Sequence, residues 1–107
     1  MTLSFCIMVI ISYRPIRAYF EVHPQAKDAL LDWYEKTEEA NWNTVTDVHS
    51  TFNSADSIGG ERFVFNIRGN HYRLVAAISF KTRTVYVKFI GTHDEYDAIN
   101  VHTIDQF

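Results

Sequence analysis

The sequence predicts an α+β fold in which two N-terminal helices pack on an antiparallel sheet that ends in a short C-terminal helical turn. Three observations carry this. Residues 15–40 repeat apolar side chains at the helical period, residues 62–90 alternate them at period two, and residues 92–97 spell a helix N-terminus directly after the last strand pattern. With 107 residues and 47% hydrophobic content, the chain reads as one domain that buries about two-thirds of its unfolded surface.

The first element is a strand. Residues 3–11 are mostly apolar and are read as buried, with Val9-Ile10-Ile11 as the β-branched run. The stretch is far too short to span a bilayer, and no basic residue precedes it as in a secretory signal. Met8 is a candidate start, which would make residues 1–7 an upstream extension. Cys6 is the single cysteine, so an internal disulfide and a zinc knuckle are excluded. A free buried thiol in a reducing cytoplasm is expected.

Pro15 suits the opening turn of a helix running to about Val22. A second helix begins around His23-Pro24, with a stripe of Ala26, Ala29, Leu30, Trp33 and Ala40 widened by Leu31 and Tyr34. Its acidic residues Asp28, Asp32, Glu35, Glu38 and Glu39 form a solvated outer face. Thr44 caps a short helix carrying Val45, Val48 and Phe52. His49 is expected on the surface, and residues 53–60 read as a loop by composition.

Three strands then follow as a meander. Gly69-Asn70 marks the first hairpin, so that Ile67 faces Tyr72, Asn66 faces Arg73 and Phe65 faces Leu74. Taking Thr82-Arg83 as the second loop sets Phe80 opposite Val85 and Ala77 opposite Lys88. The large apolar residues, Phe89 among them, then fall on one side beneath the helices. The other side carries Arg62, Asn66, Arg68, His71, Arg73, Tyr86 and Lys88 around Val64, Val75 and Ile90.

Charge is sorted in the same way. Residues 62–93 hold six Lys or Arg and two His but no Asp or Glu, whereas the other residues carry all 13 carboxylates. A chain of net charge −3 thus presents one basic face, suited to an anion. At its end, Thr92-x-x-Glu95 is a capping box that places His93 on one helical face with Tyr96 and Asp97. Asp97 can hydrogen-bond one imidazole nitrogen and orient the ring.

Histidine, tyrosine, arginine and lysine together can cleave RNA without a metal. A base removes the 2′-hydroxyl proton, an acid protonates the leaving 5′-oxygen, and cations stabilise the phosphorane. Neither a metal nor another cofactor is expected, because carboxylates are missing from the basic face and no His/Cys ligand spacing appears. No nucleotide-binding fingerprint is present, and Gly59-Gly60 is only a loop. Two other readings stand beside the enzyme: a non-catalytic RNA-binding module, and an interaction domain whose basic face docks an acidic partner.

The segments Phe63-Val64-Phe65-Asn66-Ile67-Arg68-Gly69-Asn70-His71-Tyr72-Arg73-Leu74 and Phe89-Ile90-Gly91-Thr92-His93-Asp94-Glu95-Tyr96-Asp97 resemble the HigB family of type II toxins, which is itself similar to the RelE-like mRNA interferases. Tyr19-Phe20-Glu21-Val22-His23-Pro24 and the stretch from Trp42 follow the same pattern, so the resemblance covers about residues 8–100. It implies a RelE-like fold and a cytoplasmic endoribonuclease that cleaves mRNA on the ribosome and inhibits translation. It also implies a cognate antitoxin, a helix-turn-helix protein. By position it implies Asn70, Arg73, Lys88, His93 and Tyr96 as site residues, with Asp97 closing the last motif. His93, Tyr96, Arg73, Lys88 and Asp97 are thus the catalytic candidates. Arg62, Asn66, Arg68, Asn70, His71, Lys81 and Arg83 are the RNA-binding ones. Residues 101–107 extend past the pattern, where covering the core edge is their expected task.

Overall fold

The structure, a computed structural model, describes residues 8–11 and 13–107. The expectations placed on residues 1–7, including the buried Cys6 thiol and the upstream extension, lie outside the described residues. The elements run β1 (Val9–Ile11), α1 (Tyr13–Val22), a 3-10 turn (Pro24–Ala26), α2 (Lys27–Glu39), α3 (Val45–Thr51), β2 (Asp56–Gly59), β3 (Arg62–Ile67), β4 (Tyr72–Ser79), β5 (Thr84–Thr92) and α4 (His93–Asp97). The α+β class and the two N-terminal helices are as expected. The sheet, however, is mixed and five-stranded in the order β1-β5-β4-β3-β2, because β1 runs parallel to β5.

Local sequence explains the helices. Pro15 sits in the first turn of α1, where its missing N–H would have had no helical partner. Pro24 opens a single 3-10 turn that leads directly into α2. Thr44 and Asp47 form a reciprocal capping box on α3. Asp47 accepts from the Asn43 and Thr44 amides, and these bonds, the one from Asn43 foremost, hold its carboxyl below the usual carboxylate range. His49 is half-buried rather than on the open surface, with Nε2 donating to the Ala55 carbonyl at 2.8 Å.

Helices cover one face of the sheet. Ile16, Phe20, Leu30 and Trp33 pack on Phe63, Phe65, Leu74, Ile78, Val85 and Ile90 in one apolar core. Phe65 is its centre, with ring centroids 5.4 Å from Trp33, 5.3 Å from Phe52 and 6.5 Å from Trp42.

Two expectations for the sheet need correction. Residues 53–60 are not all loop: Asp56–Gly59 is an edge strand paired with β3. Its polar, exposed residues hide the strand because it is held by backbone pairing more than by side-chain burial. The β3–β4 register is the expected one. The β4–β5 register is not, since Ile78 faces Val85 and Ala77 faces Tyr86. The connection takes four residues, 80–83, with Arg83 at φ 56°, and this moves the pairing by two.

A bulge follows between Ala76–Val87 and Val75–Phe89, leaving Lys88 as an extra residue. An extra residue exchanges the faces of everything after it. Phe89 therefore leaves the helix side and Ile90 takes its place in the core.

The outer face is consequently not an open basic surface. Val64, Val75 and Phe89 form a second apolar cluster, covered by Ile58, Tyr96, Ile99, Val101 and Ile104. Val101 and Ile104 thus lie over the middle of the outer face, whereas Gln106 runs along the backbone edge of β5 and lines a cavity with Phe107, Tyr19 and Val22, so the end of the tail does cover the core edge. Arg62 fastens this tail, donating from Nη1 to the carbonyls of Val101 (3.1 Å) and Ile104 (2.7 Å). The Gln106 amide donates to Lys88 O at 2.8 Å, and Gln106 Oε1 accepts from the Ile90 amide at 3.1 Å.

Replacing Arg62 with Met is expected to cost about 1–3 kcal/mol, the scale of charged hydrogen bonds to half-buried carbonyls. Urea denaturation and faster hydrogen exchange at the Gln106 amide will register the loss. Unchanged stability and exchange would leave Arg62 without this anchoring role.

Tyr19 stacks on His23 (4.2 Å between ring centroids) and meets Tyr72 edge-on at 5.9 Å. Its hydroxyl is buried with no hydrogen-bond partner among the described residues. Burial first, then the Glu95 charge, pushes the phenol up to about 12. The unfolded chain ionises near the ordinary value of 10.0, so Tyr19 favours the folded state below that pH. The advantage is lost as pH rises from there through about 12. A spectrophotometric titration is expected to lose its latest tyrosine step in Tyr19→Phe, with alkaline unfolding displaced to higher pH.

Candidate active site

Three rows of outward-facing side chains cross β3, β4 and β5. Arg62, Ala77 and Tyr86 form the first, Val64, Val75 and Phe89 the second, and Asn66, Arg73 and Gly91 the third. The first row holds the tail and the second is apolar. The third lies at the end of the sheet where α4 begins.

α4 is fixed there by its own cap. Thr92 Oγ1 accepts from the Glu95 amide at 3.2 Å, and Glu95 Oε1 accepts from the Thr92 amide at 2.8 Å. The His93 amide donates to His71 O at 3.1 Å, tying the turn between β3 and β4 to the start of α4. One helical turn then sets His93 Nδ1 3.2 Å from Asp97 Oδ2, with the imidazole side chain 43% exposed. The expected alignment of His93 with Asp97 is present, and Asp94 Oδ1 lies 4.0 Å from the same nitrogen.

Tyr96 faces back onto the sheet. Its ring lies 6.4 Å from Phe89, with the Arg73 guanidinium 5.8 Å from its centroid. Burial raises the phenol above its ordinary value, with Asp56 and Asp97 adding to the rise and Arg73 opposing it. At neutral pH the Tyr96 hydroxyl is therefore protonated. Arg73 Nη1 also reaches the Asn70 and Tyr72 carbonyls, each at 3.4 Å.

The β3–β4 turn adds exposed polar groups. Arg68, at φ 53°, and Gly69, at φ 62°, take the left-handed conformation that closes it, and His71 Nδ1 donates to Arg68 O at 2.9 Å. Arg68, Asn70 and His71 are exposed there, as is Asn66 beside Arg73.

Other sequence candidates lie elsewhere. Lys88 occupies the bulge, 3.6 Å from Asp105 of the tail and 5.8 Å from the centroid of the Tyr86 ring. Arg62 is engaged by tail carbonyls. Lys81 and Arg83 sit at the β4–β5 turn, roughly 20 Å from Arg73 along the strand at about 3.3 Å per residue. Arg83 there bonds Asn43 at 2.7 Å and Asn41. The basic run is thus divided between the two ends of the sheet.

Among the described residues, His93, Asp94 and Asp97 bring ligand atoms within 4.8 Å of one another, close enough to hold a cation. Linear spacing had pointed to no such group, because the histidine and its two carboxylates converge only once α4 has formed. Phe89 and Gly91 also went unassigned; only the bulge brings the ring beneath Tyr96.

Residues 26–99 match the HigB toxin family, described as the RelE-like toxic component of a toxin–antitoxin system. The chain belongs to the HigB toxin family. As a HigB-family toxin it has an antitoxin for a partner. It is similar to the mRNA interferase HigB of Escherichia coli O6:H1 (strain CFT073), with 29% identity over 94 residues, 86% of this chain and 91% of the relative. The mRNA interferase toxin HigB of Escherichia coli strain K12 is 27% identical over 92 residues, covering 84% of this chain and 88% of the relative. The mRNA interferase HigB of Shigella flexneri gives the same identity and coverage. Among the described residues of this HigB-family chain, no helix is long and apolar enough to cross a membrane.

Proposed function

We propose that this toxin is an endoribonuclease that cleaves mRNA through the group at the end of β4 and β5. The observation that carries this is that the one-turn helix after β5 holds both the His93–Asp97 pair and Tyr96, the latter with the Arg73 guanidinium over its ring. The relatives' description as mRNA interferases supports it. His93, oriented by Asp97, removes the proton from a 2′-hydroxyl, which attacks the adjacent phosphorus. Tyr96, which remains protonated, donates to the leaving 5′-oxygen, and Arg73 stabilises charge on the phosphorane. The products are a 2′,3′-cyclic phosphate and a 5′-hydroxyl end. Arg68, Asn66, Asn70 and His71 hold the RNA backbone nearby. The reaction needs no metal, takes place in the cytoplasm on mRNA held by the ribosome, and is silenced by a helix-turn-helix antitoxin.

Mapping RNA ends after induction without the antitoxin tests this reading. New 5′-hydroxyl ends within mRNA are expected, whereas growth arrest with no new ends would make the chain a non-catalytic binder. Cleavage by purified toxin is expected to persist in a chelator. Its loss there would instead implicate a cation at His93, Asp94 and Asp97.

A further inference from the structure

Tyr96 stands on a helix of five residues, so what lies beneath its ring decides where the phenol points. Beneath it is Phe89, only 4% exposed and facing outward because the Lys88 bulge reverses that part of β5. Two residues on, Gly91 is paired with Arg73. A Cβ at Gly91 would overlap Phe89 Cζ and lie 3.0 Å from both Phe89 Cε2 and Glu95 Oε1. The Phe89 ring thus occupies space that only glycine leaves open, against the carboxylate that caps α4.

We propose that Phe89 and Gly91 are positioning residues for the reaction: the bulge turns the ring outward, the glycine admits it, and the ring sets Tyr96 beside Arg73. This rests on the reading that Tyr96 takes part in cleavage. Without the ring, Tyr96 sinks toward Val64 and Val75. With a side chain at position 91, the Phe89 ring must tilt and lift Tyr96. Either change displaces the phenol while leaving Arg73 and the RNA-holding turn in place.

The test is a double-mutant cycle in single-turnover cleavage of an mRNA on programmed ribosomes, with RNA binding measured separately. Phe89→Leu is expected to slow cleavage about ten- to a hundredfold, the scale of a misplaced catalytic group, and to leave binding within about twofold. In a Tyr96→Phe background the same substitution is expected to cost nothing further. Equal slowing in both backgrounds would make Phe89 merely structural and overturn the proposal. A fully active Tyr96→Phe would remove the underlying reading, and the positioning role with it. Gly91→Ala keeps the ring and repeats the cycle should Phe89→Leu fail to fold.

Discussion

His93→Ala is expected to lower the rate of RNA cleavage by about 10²–10⁴-fold, the usual contribution of a positioned general acid or base. The fold should survive the change. The imidazole is 43% exposed and its ion-pair partners are the exposed carboxylates of Asp97 and Asp94, whereas the backbone bond from His93 to His71 and the Thr92–Glu95 cap do not use it. Losing such an exposed pair costs little stability. Asp97→Asn keeps a polar group beside Nδ1 but removes the carboxylate, so a smaller fall in rate is expected. Cleavage rates with the thermal midpoint measured alongside decide the matter. A His93→Ala toxin that cleaves at the parental rate would dismiss the imidazole from the chemistry.

Phe65→Ala is expected to destabilise the protein by about 3–5 kcal/mol, the range for removing a fully buried phenylalanine. Phe65 is 1% exposed and lies among the rings of Trp33, Trp42, Phe52 and Phe63. These come from α2, the segment before α3, the residue closing α3, and β3 itself. The cavity would therefore open where helices and sheet meet, and rigid aromatic neighbours cannot collapse into it. Against a total stability of about 5–15 kcal/mol for a domain of this kind, the variant is marginal. Urea denaturation measures it, and a loss below about 1 kcal/mol would contradict the central place of this ring.

Much of this was legible in the chain. The β3–β4 register followed from alternation and Gly69-Asn70, because a one-residue slip would turn every side chain over. The box at Thr92 and Glu95 placed His93 on one face with Asp97, since three- and four-residue spacings are neighbours on any helix. The edge strand Asp56–Gly59 was hidden, as its pairing is a backbone property that polar residues do not advertise. The basic run from 62 to 93 suggested one open surface, but charge content says nothing about what covers it.

By itself the sequence determined the α+β class, the helices and their caps, the β3–β4 pairing and the histidine turn. All of these depend on local spacing and period. Only the tertiary structure decided which cations belong to the site. Arg62 is taken by the tail, Lys88 is set into a bulge beside Asp105, and Arg83 bonds asparagines at the far end of the sheet, while Arg73 stays beside Tyr96. The physical reason is that a bulge and a covering tail are settled by contacts between distant segments. A single extra residue in β5 exchanges Phe89 and Ile90 between the two faces, a choice for which period-two alternation has no sign.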